Sequence, residues 1–283
     1  MTTNMHNAEW ECLYPDIDWF RDTHLPALFS SLHPVHKTSW IGPETLVSGY
    51  PADVISILWE PSGSLRHLAI VLTNSTHKKS FAHVLCPFAA DAAEVEVIIT
   101  SITERTAGLE AVVTGEWENR SVPFLDPLYH INRDRYRIGE KQRVRMAALC
   151  FDVRAQRTTS VVFDDPEQEE HVRHRLGIPP GEPMNISMVG MVARLPGDDD
   201  PEYASFTSPV KDLKTVTANG FTLLRAVVAL ARDENDLDVP MFIPAHIAAN
   251  YPALAPGVTA DGINWVQGTL AETHALITAA SAH

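Results

Sequence analysis

The chain has 283 residues, of which 45% are hydrophobic and 20% are charged, a composition typical of a folded protein with a buried core and not of a disordered chain. Its formal net charge of −14 argues against non-specific attraction to nucleic acid and favours a partner with a basic surface. The three cysteines are widely spaced and form no C-x-x-C pair, so neither a disulfide scaffold nor a cysteine zinc site is indicated.

The N-terminal sequence lacks the basic and apolar regions of a secretory signal, and no apolar run of 18 residues occurs in the chain. We therefore expect a cytoplasmic protein without a membrane segment. No Walker sequence and no G-x-G-x-x-G stretch is present, and no other cofactor signature occurs, so we expect no cofactor.

Residues 1–90 combine a helical pattern with several strand patterns. Apolar side chains recur at helical intervals over residues 16–32, with a break expected near His24. Residues 45–88 contain four runs rich in β-branched and aromatic residues, separated by turn-forming residues, which is typical of antiparallel hairpins. We predict an N-terminal domain over residues 1–90, built from a helix on an antiparallel sheet.

Two stretches, residues 122–149 and 239–270, resemble each other. Each begins with Val-Pro and an apolar residue, has a second proline four residues after the first, then an asparagine and a lone glycine (Gly139 and Gly257), and ends in an apolar strand-like run. An Ala-Val-Val run precedes each stretch. Similarity of this kind indicates two copies of one small module. We predict a mainly β (α+β) fold in which residues 91–195 and 203–283 form two similar OB-like β-barrels.

Residues 165–177 carry the signals of a helix inserted in the first of these modules. Asp165 can cap its start, Pro166 suits its first position and Gly177 its end, with acids in the first turn and bases in the last. Residues 196–202 contain two prolines, one glycine and four acids but no apolar residue. We predict that they link the two modules, the second of which ends in a C-terminal helix.

A basic cluster lies between residues 133 and 145, where six basic residues face two acidic ones in the sequence. Its members are Arg133, Arg135, Arg137, Lys141, Arg143 and Arg145. On a strand, the last three share one face. The cluster is either a solvated strand face or an anion-binding edge, which could bind an acidic protein surface or single-stranded nucleic acid with Tyr136 stacking on a base.

Acidic residues dominate the next part of the chain, because residues 164–202 hold ten acids and three arginines. Such a surface would repel nucleic acid and attract a basic protein groove. The candidate partner-binding residues are Glu167, Glu169, Glu170, Asp198, Asp199 and Asp200.

His171 and His174 lie three residues apart on the predicted helix and could contribute to a metal site, but no third ligand is identifiable and a solvated helix face explains them as well. The preferred interpretation is a non-enzymatic protein-binding module that acts as an adaptor, an assembly component or an inhibitor, with its acids mimicking nucleic acid. The alternative is a single-stranded nucleic-acid-binding protein that uses the basic cluster. A metal-dependent enzyme using the two histidines is the third.

Overall fold

A computed structural model describes residues 6–24, 26, 34–40, 52–59, 63–74, 79–155, 159–160, 166–179, 185–186, 189–218 and 221–280. The helices are α1 Asn7–Leu13, α2 Ile17–Trp19 with a π-helical turn Phe20–His24, α3 Tyr129–Asn132, α4 Pro166–Leu176, α5 Ala245–Ala248 and α6 Ala271–Ala280. The strands are β1 Pro34–Trp40, β2 Ala52–Trp59, β3 Leu65–Asn74, β4 Lys79–Ala89, β5 Ala93–Arg105, β6 Glu110–Trp117, β7 Arg120–Asp126, β8 Lys141–Ala155, β9 Thr159–Ser160, β10 Asn185–Ile186, β11 Ala193–Pro196, β12 Tyr203–Ala218, β13 Phe221–Arg232, β14 Asp236–Pro244 and β15 Thr259–Leu270.

Strands β1 to β4 form an antiparallel sheet in sequence order, joined as consecutive hairpins. This confirms the predicted hairpins over β2, β3 and β4. The predicted strand at residues 45–50 and the predicted helix at residues 27–32 lie outside the described residues. Strand β1 was not predicted, because its sequence PVHKTSW mixes proline, lysine and serine with few β-branched residues.

The N-terminal helices cover this sheet with aromatic side chains. Trp10 stacks on Phe20 with ring centroids 4.9 Å apart and on His67 of β3 at 5.1 Å, and its indole N–H donates to the carbonyl oxygen of Leu85 at 3.2 Å. Tyr14 is 2.6 Å from His67 through its hydroxyl oxygen. Because the buried rings of Trp10 and Tyr14 combine a large apolar surface with hydrogen-bonded polar atoms, they fix the helices on the sheet.

The larger sheet has nine strands, which come from both predicted modules, while β9 and β10 pair in a separate two-stranded sheet. In the first repeat, residues 93–155, β5 pairs antiparallel with β6, β6 with β7, and β8 returns to pair with the start of β5. In the second repeat, residues 203–270, β12, β13, β14 and β15 have the same order and the same pairings. Helices α3 and α5 occupy the same place in each. The two stretches therefore fold alike, as the sequence similarity predicted.

The two lone glycines are equivalent in the backbone as well as in the sequence. The N–H of Gly139 donates to the carbonyl oxygen of Ile99 at 2.8 Å, and the N–H of Gly257 donates to that of Val210 at 2.7 Å. Their φ angles are +83° and +89°, and no atom lies within 4 Å of a Cβ built on either. Glycine is favoured by the left-handed backbone at these turns and not by lack of space.

The pairing also corrects one detail of the repeat. Val122 lies opposite Gly115, and Val239 lies opposite Val228, so Gly115 and Val228 are equivalent. The two Ala-Val-Val runs are therefore offset by two residues and are not equivalent residue by residue. Because side chains alternate with a period of two along a strand, the offset leaves the apolar pattern on the same face and the error was invisible in the sequence.

The repeats are joined by their last strands. Strands β8 and β15 pair antiparallel along most of their length, from Val144 opposite Leu270 to Ala155 opposite Ala260. Counting from the two glycines, Ala148 and Val266 are equivalent, and these two residues lie opposite each other. The prediction of OB-like barrels is not confirmed, since each repeat shares its last strand with the other in one mixed sheet. The division into three domains stays a prediction.

The segment predicted to link the modules, residues 196–202, connects β11 to β12, which pair antiparallel with Pro196 opposite Ala204. Helix α4 begins and ends within one residue of its predicted bounds, and its predicted cap, Asp165, lies outside the described residues. None of the helices in the described ranges is both long and apolar enough to cross a membrane.

Candidate partner-binding site

The C-terminal half of the basic cluster lies at the start of β8, directly beside the start of β5. Glu94 is opposite Arg145 and Glu96 is opposite Arg143 in the register. The Arg145 guanidinium is 2.9 Å from Glu94, that of Arg143 is 3.2 Å from Glu94, and the Lys141 ammonium is 3.4 Å from Glu96. Exposed pairs of this kind add little stability, but they place two carboxylates of the chain beside the three cations.

The N-terminal half of the cluster is also engaged by groups of the chain itself. Arg133 lies 3.1 Å from Glu104 of β5, and Arg135 forms an ion pair with Glu272 in the first turn of α6. Arg137 donates to backbone carbonyl oxygens of its own loop. Five of the six cations therefore face a carboxylate of the chain itself.

Tyr136 is not available to stack on a base, because only 5% of it is exposed. Its hydroxyl donates to Asp126 at 2.7 Å, and the Asn132 amide donates to the same carboxylate at 2.7 Å and to Thr269 of β15 at 2.7 Å. Burial raises the pKa of Asp126 to about 6, while these hydrogen bonds act in the opposite direction. The tyrosine belongs to a buried polar network that joins the two repeats.

A cavity of about 440 Å³ opens next to the basic cluster, at the first turn of α6. Arg135, Lys141 and Arg143 line it together with Glu96 and Glu272. Its charge is close to balanced, since three cations face two carboxylates.

Helix α4 carries one group of predicted acidic residues. Glu167 and Glu170 are exposed, and Glu169 lies 2.6 Å from Arg173, one turn further on. The pair follows the i,i+4 order that stabilises isolated helices, with the acid on the N-terminal side.

His171 and His174 lie exposed on the same helix. In the ranges that the structure describes, no group of three or more histidine, cysteine, aspartate or glutamate side chains could hold a metal ion. The metal hypothesis for these two residues therefore rests on their sequence spacing alone.

The acidic turn between β11 and β12, residues 197–202, carries the second group. Asp200 lies 2.8 Å from Arg105 of the first repeat, and the same guanidinium pairs with Glu202, of which 1% is exposed. Arg105 also donates to the backbone carbonyl oxygen of Asp199 at 3.4 Å. Among the described residues, the carboxylates of Asp198 and Asp199 form no ion pair, and both residues are exposed. The turn is held to the first repeat through Arg105 and presents two aspartates to solvent. The predicted acidic residues are thus placed on two separate elements.

An acidic groove of about 670 Å³, larger than the cavity at α6, lies along the start of β5. Six carboxylates and one ammonium group line it, together with Trp117 and Ile98, which is 37% exposed. The lining residues are Glu94, Val95, Glu96, Ile98, Glu116, Trp117, Glu118, Asn119, Lys141, Asp236, Leu237 and Asp238. Sequence reasoning missed the groove, because its walls come from β5, the end of β6 with the β6–β7 turn, the start of β8 and the start of β14.

The carboxylates of the groove differ in how far they are neutralised. Lys211 lies 2.7 Å from Asp236 and 2.6 Å from Asp238, and the two glutamates of β5 face the basic cluster. Glu116 and Glu118 form no ion pair within the described part of the chain, although Glu118 accepts a hydrogen bond of 3.0 Å from Asn235. The unmatched charge at this groove is therefore negative.

A buried network at the N-terminus was also missed. The His6 ring lies 2.9 Å from Glu9 and 2.7 Å from Glu110 of β6, and Glu9 accepts a hydrogen bond from Tyr203 of β12. Burial would lower the pKa of His6, but its hydrogen bonds to Glu110 and Glu9 and their charges outweigh that effect and raise it to about 10. The imidazolium therefore ties α1 to both repeats.

None of the three cysteines is suited to act as a nucleophile. All three are buried, and burial raises the pKa of Cys12 to about 12. A thiol with such a pKa stays protonated at neutral pH and is a poor nucleophile.

The candidate site therefore consists of two acidic surfaces, the acidic groove and the acidic turn, on a framework in which five of the six cations of the basic cluster face carboxylates of the chain. No protein-family model, no curated protein and no solved structure matches this chain.

Proposed function

We propose that this protein is a non-enzymatic protein-binding module whose partner presents a basic surface. In this role it acts as an adaptor, an assembly component or an inhibitor. The proposed contact surfaces are the acidic groove, the acidic turn with Asp198 and Asp199, and the exposed acids of α4.

One observation carries the proposal: five of the six cations of the basic cluster face carboxylates of the chain itself, while the surplus of charge on the chain is negative. The ion pairs between β5 and β8 and between Arg135 and Glu272 consume cations that the sequence left open for an anionic ligand. With a formal net charge of −14, the remaining acids create a field that attracts a basic partner and raises its association rate.

We retain two OB-like barrels as the proposed architecture. What supports them is the path of the pairings, which runs from β5 through β6, β7, β15 and β8 back to β5, and from β12 through β13, β14, β8 and β15 back to β12. Small barrels of this type use their strand faces and loops to bind partners.

Single-stranded nucleic acid is the second candidate, and the cavity of about 440 Å³ with its three cations favours it. The two carboxylates in its lining and the burial of Tyr136 weigh against it, because stacking and phosphate contacts supply most of the affinity for single strands.

Fluorescence anisotropy at physiological salt separates the two candidates. We expect fluorescein-labelled deca-lysine to bind and a labelled twenty-nucleotide oligothymidine not to bind. Reversing two charges with Asp198→Lys and Asp199→Lys, or one charge with Glu116→Lys, should weaken deca-lysine binding by about two- to tenfold, since each exposed charge pair contributes roughly 0.2–1 kcal/mol.

The matched control for the double variant reverses two acids of α2 and the π-helical turn after it, Asp18→Lys and Asp22→Lys, which changes net charge equally at another place on the surface. We expect a smaller loss in this variant. Equal losses in the two double variants, with about half that loss of binding free energy for Glu116→Lys, would mean that only net charge matters and that no particular surface is used. Salt-sensitive binding of oligothymidine that Arg143→Ala weakens would contradict the proposal and favour the nucleic-acid candidate.

A further inference from the structure

In the second repeat, the start of the first strand, β12, is paired at both of its edges. Along residues 203–209, β12 pairs with β15 at one edge. At its other edge β12 pairs with β13 from Val210 onward, and before that point the edge is filled by β11, with Leu195 opposite Ser205 and Ala193 opposite Thr207. A segment from outside the repeat thus completes this edge by antiparallel pairing.

The same edge in the first repeat borders the acidic groove. Strand β5 pairs with β8 from Ala93 to Ile98 at one edge, and β6 joins the other edge only at Ile98. Among the strands that the structure describes, none pairs with residues 93–97 at that second edge. Counting from Ile99 and Val210, which bond equivalently to the two glycine turns, Glu96 corresponds to Thr207 and Glu94 to Ser205.

Backbone polar groups of β5 point into this groove. Ile99 exchanges hydrogen bonds with the β8 side, accepting from Gly139 at 2.8 Å and donating to Glu140 at 3.1 Å. Because the direction of the backbone groups alternates along a strand, Val97 and Val95 also face β8, while the N–H and C=O groups of Glu96 and Glu94 face the groove.

We propose that the open edge of β5 is a strand-addition site for an extended segment of the basic partner. The segment pairs antiparallel with residues 93–97, as β11 does with β12, and main-chain hydrogen bonds to Glu94 and Glu96 hold it. This inference rests on the proposed function and specifies how the partner binds.

The side chains of the edge define the pattern that fits. Glu94 and Glu96 already face cations of β8, but Glu116, which lies opposite Ile98 on the same strand face, forms no ion pair among the described residues. Residues of the segment opposite Glu94 and Glu96 project on this face, so they carry lysine or arginine. The residue between them faces Val95 and is apolar. The unmatched Glu116 and the ring of Trp117, in the wall of the groove, provide further contacts for a cation. A second copy of this chain fits poorly, because it would bring its own surplus of acids to the groove.

The test uses the full chain and a fluorescein-labelled, acetylated and amidated peptide, Thr-Lys-Val-Lys-Val-Lys-Thr, at physiological salt. We expect it to bind more tightly than a peptide of the same composition in the order Lys-Lys-Lys-Val-Val-Thr-Thr, by about fivefold or more. N-methylation of alternate peptide nitrogens should weaken binding at least about tenfold, because it removes the main-chain donors that strand addition needs.

Two protein variants and one spectroscopic measurement complete the test. Glu96→Pro removes the N–H that faces the groove and should weaken binding about tenfold, whereas Glu96→Gln keeps the backbone and should weaken it only about twofold. Since the proline could disturb β5, amide exchange is measured by NMR in the unchanged protein. The amides of Glu94 and Glu96 should exchange faster than those of Val95 and Val97 and become protected when the peptide is added.

The outcomes distinguish this inference from the proposed function. Deca-lysine binding together with a peptide that is insensitive to N-methylation and leaves both amides unprotected would overturn strand addition alone. Failure of both deca-lysine and the peptide to bind would overturn the proposed function as well. Dimerisation of the chain that Glu96→Pro abolishes would overturn the assignment of a basic partner to this edge.

Discussion

The two repeats have the same strand order, but at one equivalent position they carry side chains of opposite polarity. Asp126 ends β7 and Ile243 stands at the equivalent place in β14, each followed by a proline and neither exposed. Asn132, seven residues before Gly139, is buried, whereas Asn250, seven before Gly257, is exposed. The backbone therefore accepts either a carboxylate network or hydrocarbon, and the network in the first repeat is not required by the fold itself.

The strand pairs differ in the same manner. The exposed positions at the start of β5 and β8 hold charged pairs, while the equivalent positions in the second repeat hold Ser205 opposite Ile263 and Thr207 opposite Asp261. Leu195 of β11 lies next to Ser205. The second repeat adds β11 at the edge where the first has a groove, so two repeats with the same strand order differ in whether this edge is paired among the described strands.

The largest expected effect on stability comes from replacing one residue of the first repeat with its equivalent in the second. Asp126→Ile leaves the Leu128 N–H, the Asn132 amide and the Tyr136 hydroxyl without their acceptor, so we expect a loss of about 3–5 kcal/mol in the free energy of unfolding. Urea denaturation measures it.

The matched variant replaces three side chains of the network with Asp126→Ile, Asn132→Leu and Tyr136→Phe. We expect it to recover part of that loss, because the Asn132 amide and the Tyr136 hydroxyl are removed together with their acceptor, while the Leu128 N–H and the Thr273 hydroxyl still lack theirs. If the single and the triple variant were equally unstable, the two repeats would not be interchangeable at this position.

The second effect is on the pH dependence of stability. The folded pKa of Asp126, about 6, lies above the roughly 3.9 of an unfolded aspartate, so its stabilising contribution is complete below pH 4 and is lost as the pH rises through 6. Ile243 has no such contribution.

Measured as the free energy of unfolding at pH 4 and pH 7, the protein should lose about 1–3 kcal/mol more over this interval than the Asp126→Asn variant, which does not titrate at this position. Parallel pH profiles for the two proteins would show that Asp126 is ionised in the folded state throughout.

The smallest effect tests the equivalence of the two turns. Gly139→Ala and Gly257→Ala should each cost about 1–2 kcal/mol of unfolding free energy, because alanine is strained at a positive φ while its Cβ meets no neighbouring atom. Costs that differ by more than about 1 kcal/mol would argue that the turns are not equivalent.

Local patterns predicted the local structure well. The capping residues and charge order of residues 165–177 gave a helix within one residue of its observed bounds, and alternating β-branched runs gave β2, β3 and β4. The similar spacing of residues around Gly139 and Gly257 predicted the repeat. Each of these depends on neighbours in the sequence, where side-chain periodicity carries the information.

The pairing of β8 with β15 depends on contacts between distant parts of the chain and has no periodic signal, so the repeats were predicted as separate barrels. The carboxylates that neutralise the basic cluster had a signal that could have been used. Glu94 and Glu96 alternate with valines, in the same way that Arg143 and Arg145 alternate around Val144, and two such strands pair readily.

The groove and the N-terminal network could not have been found in this way. His6 and Glu110 are 104 residues apart, and histidine next to glutamate in a sequence is common on solvated helices. Glu9 and Glu110 meet at the His6 ring because the fold brings distant parts of the chain together.

The central ladder between β8 and β15 has a consequence for any chain that carries one repeat alone. Ala148 and Val266 are equivalent in the two repeats and lie opposite each other. The pairs on either side, Leu149 with Trp265 and Ala147 with Gln267, are equivalent to each other. The ladder is therefore isologous, which means that each strand pairs with the equivalent residues of the other repeat. A single repeat would therefore carry a self-complementary strand and would associate with a second copy of itself. The intact chain contains both strands of this contact, β8 and β15, in one covalent molecule. The connection between the two repeats therefore sets the effective concentration at which the strands meet.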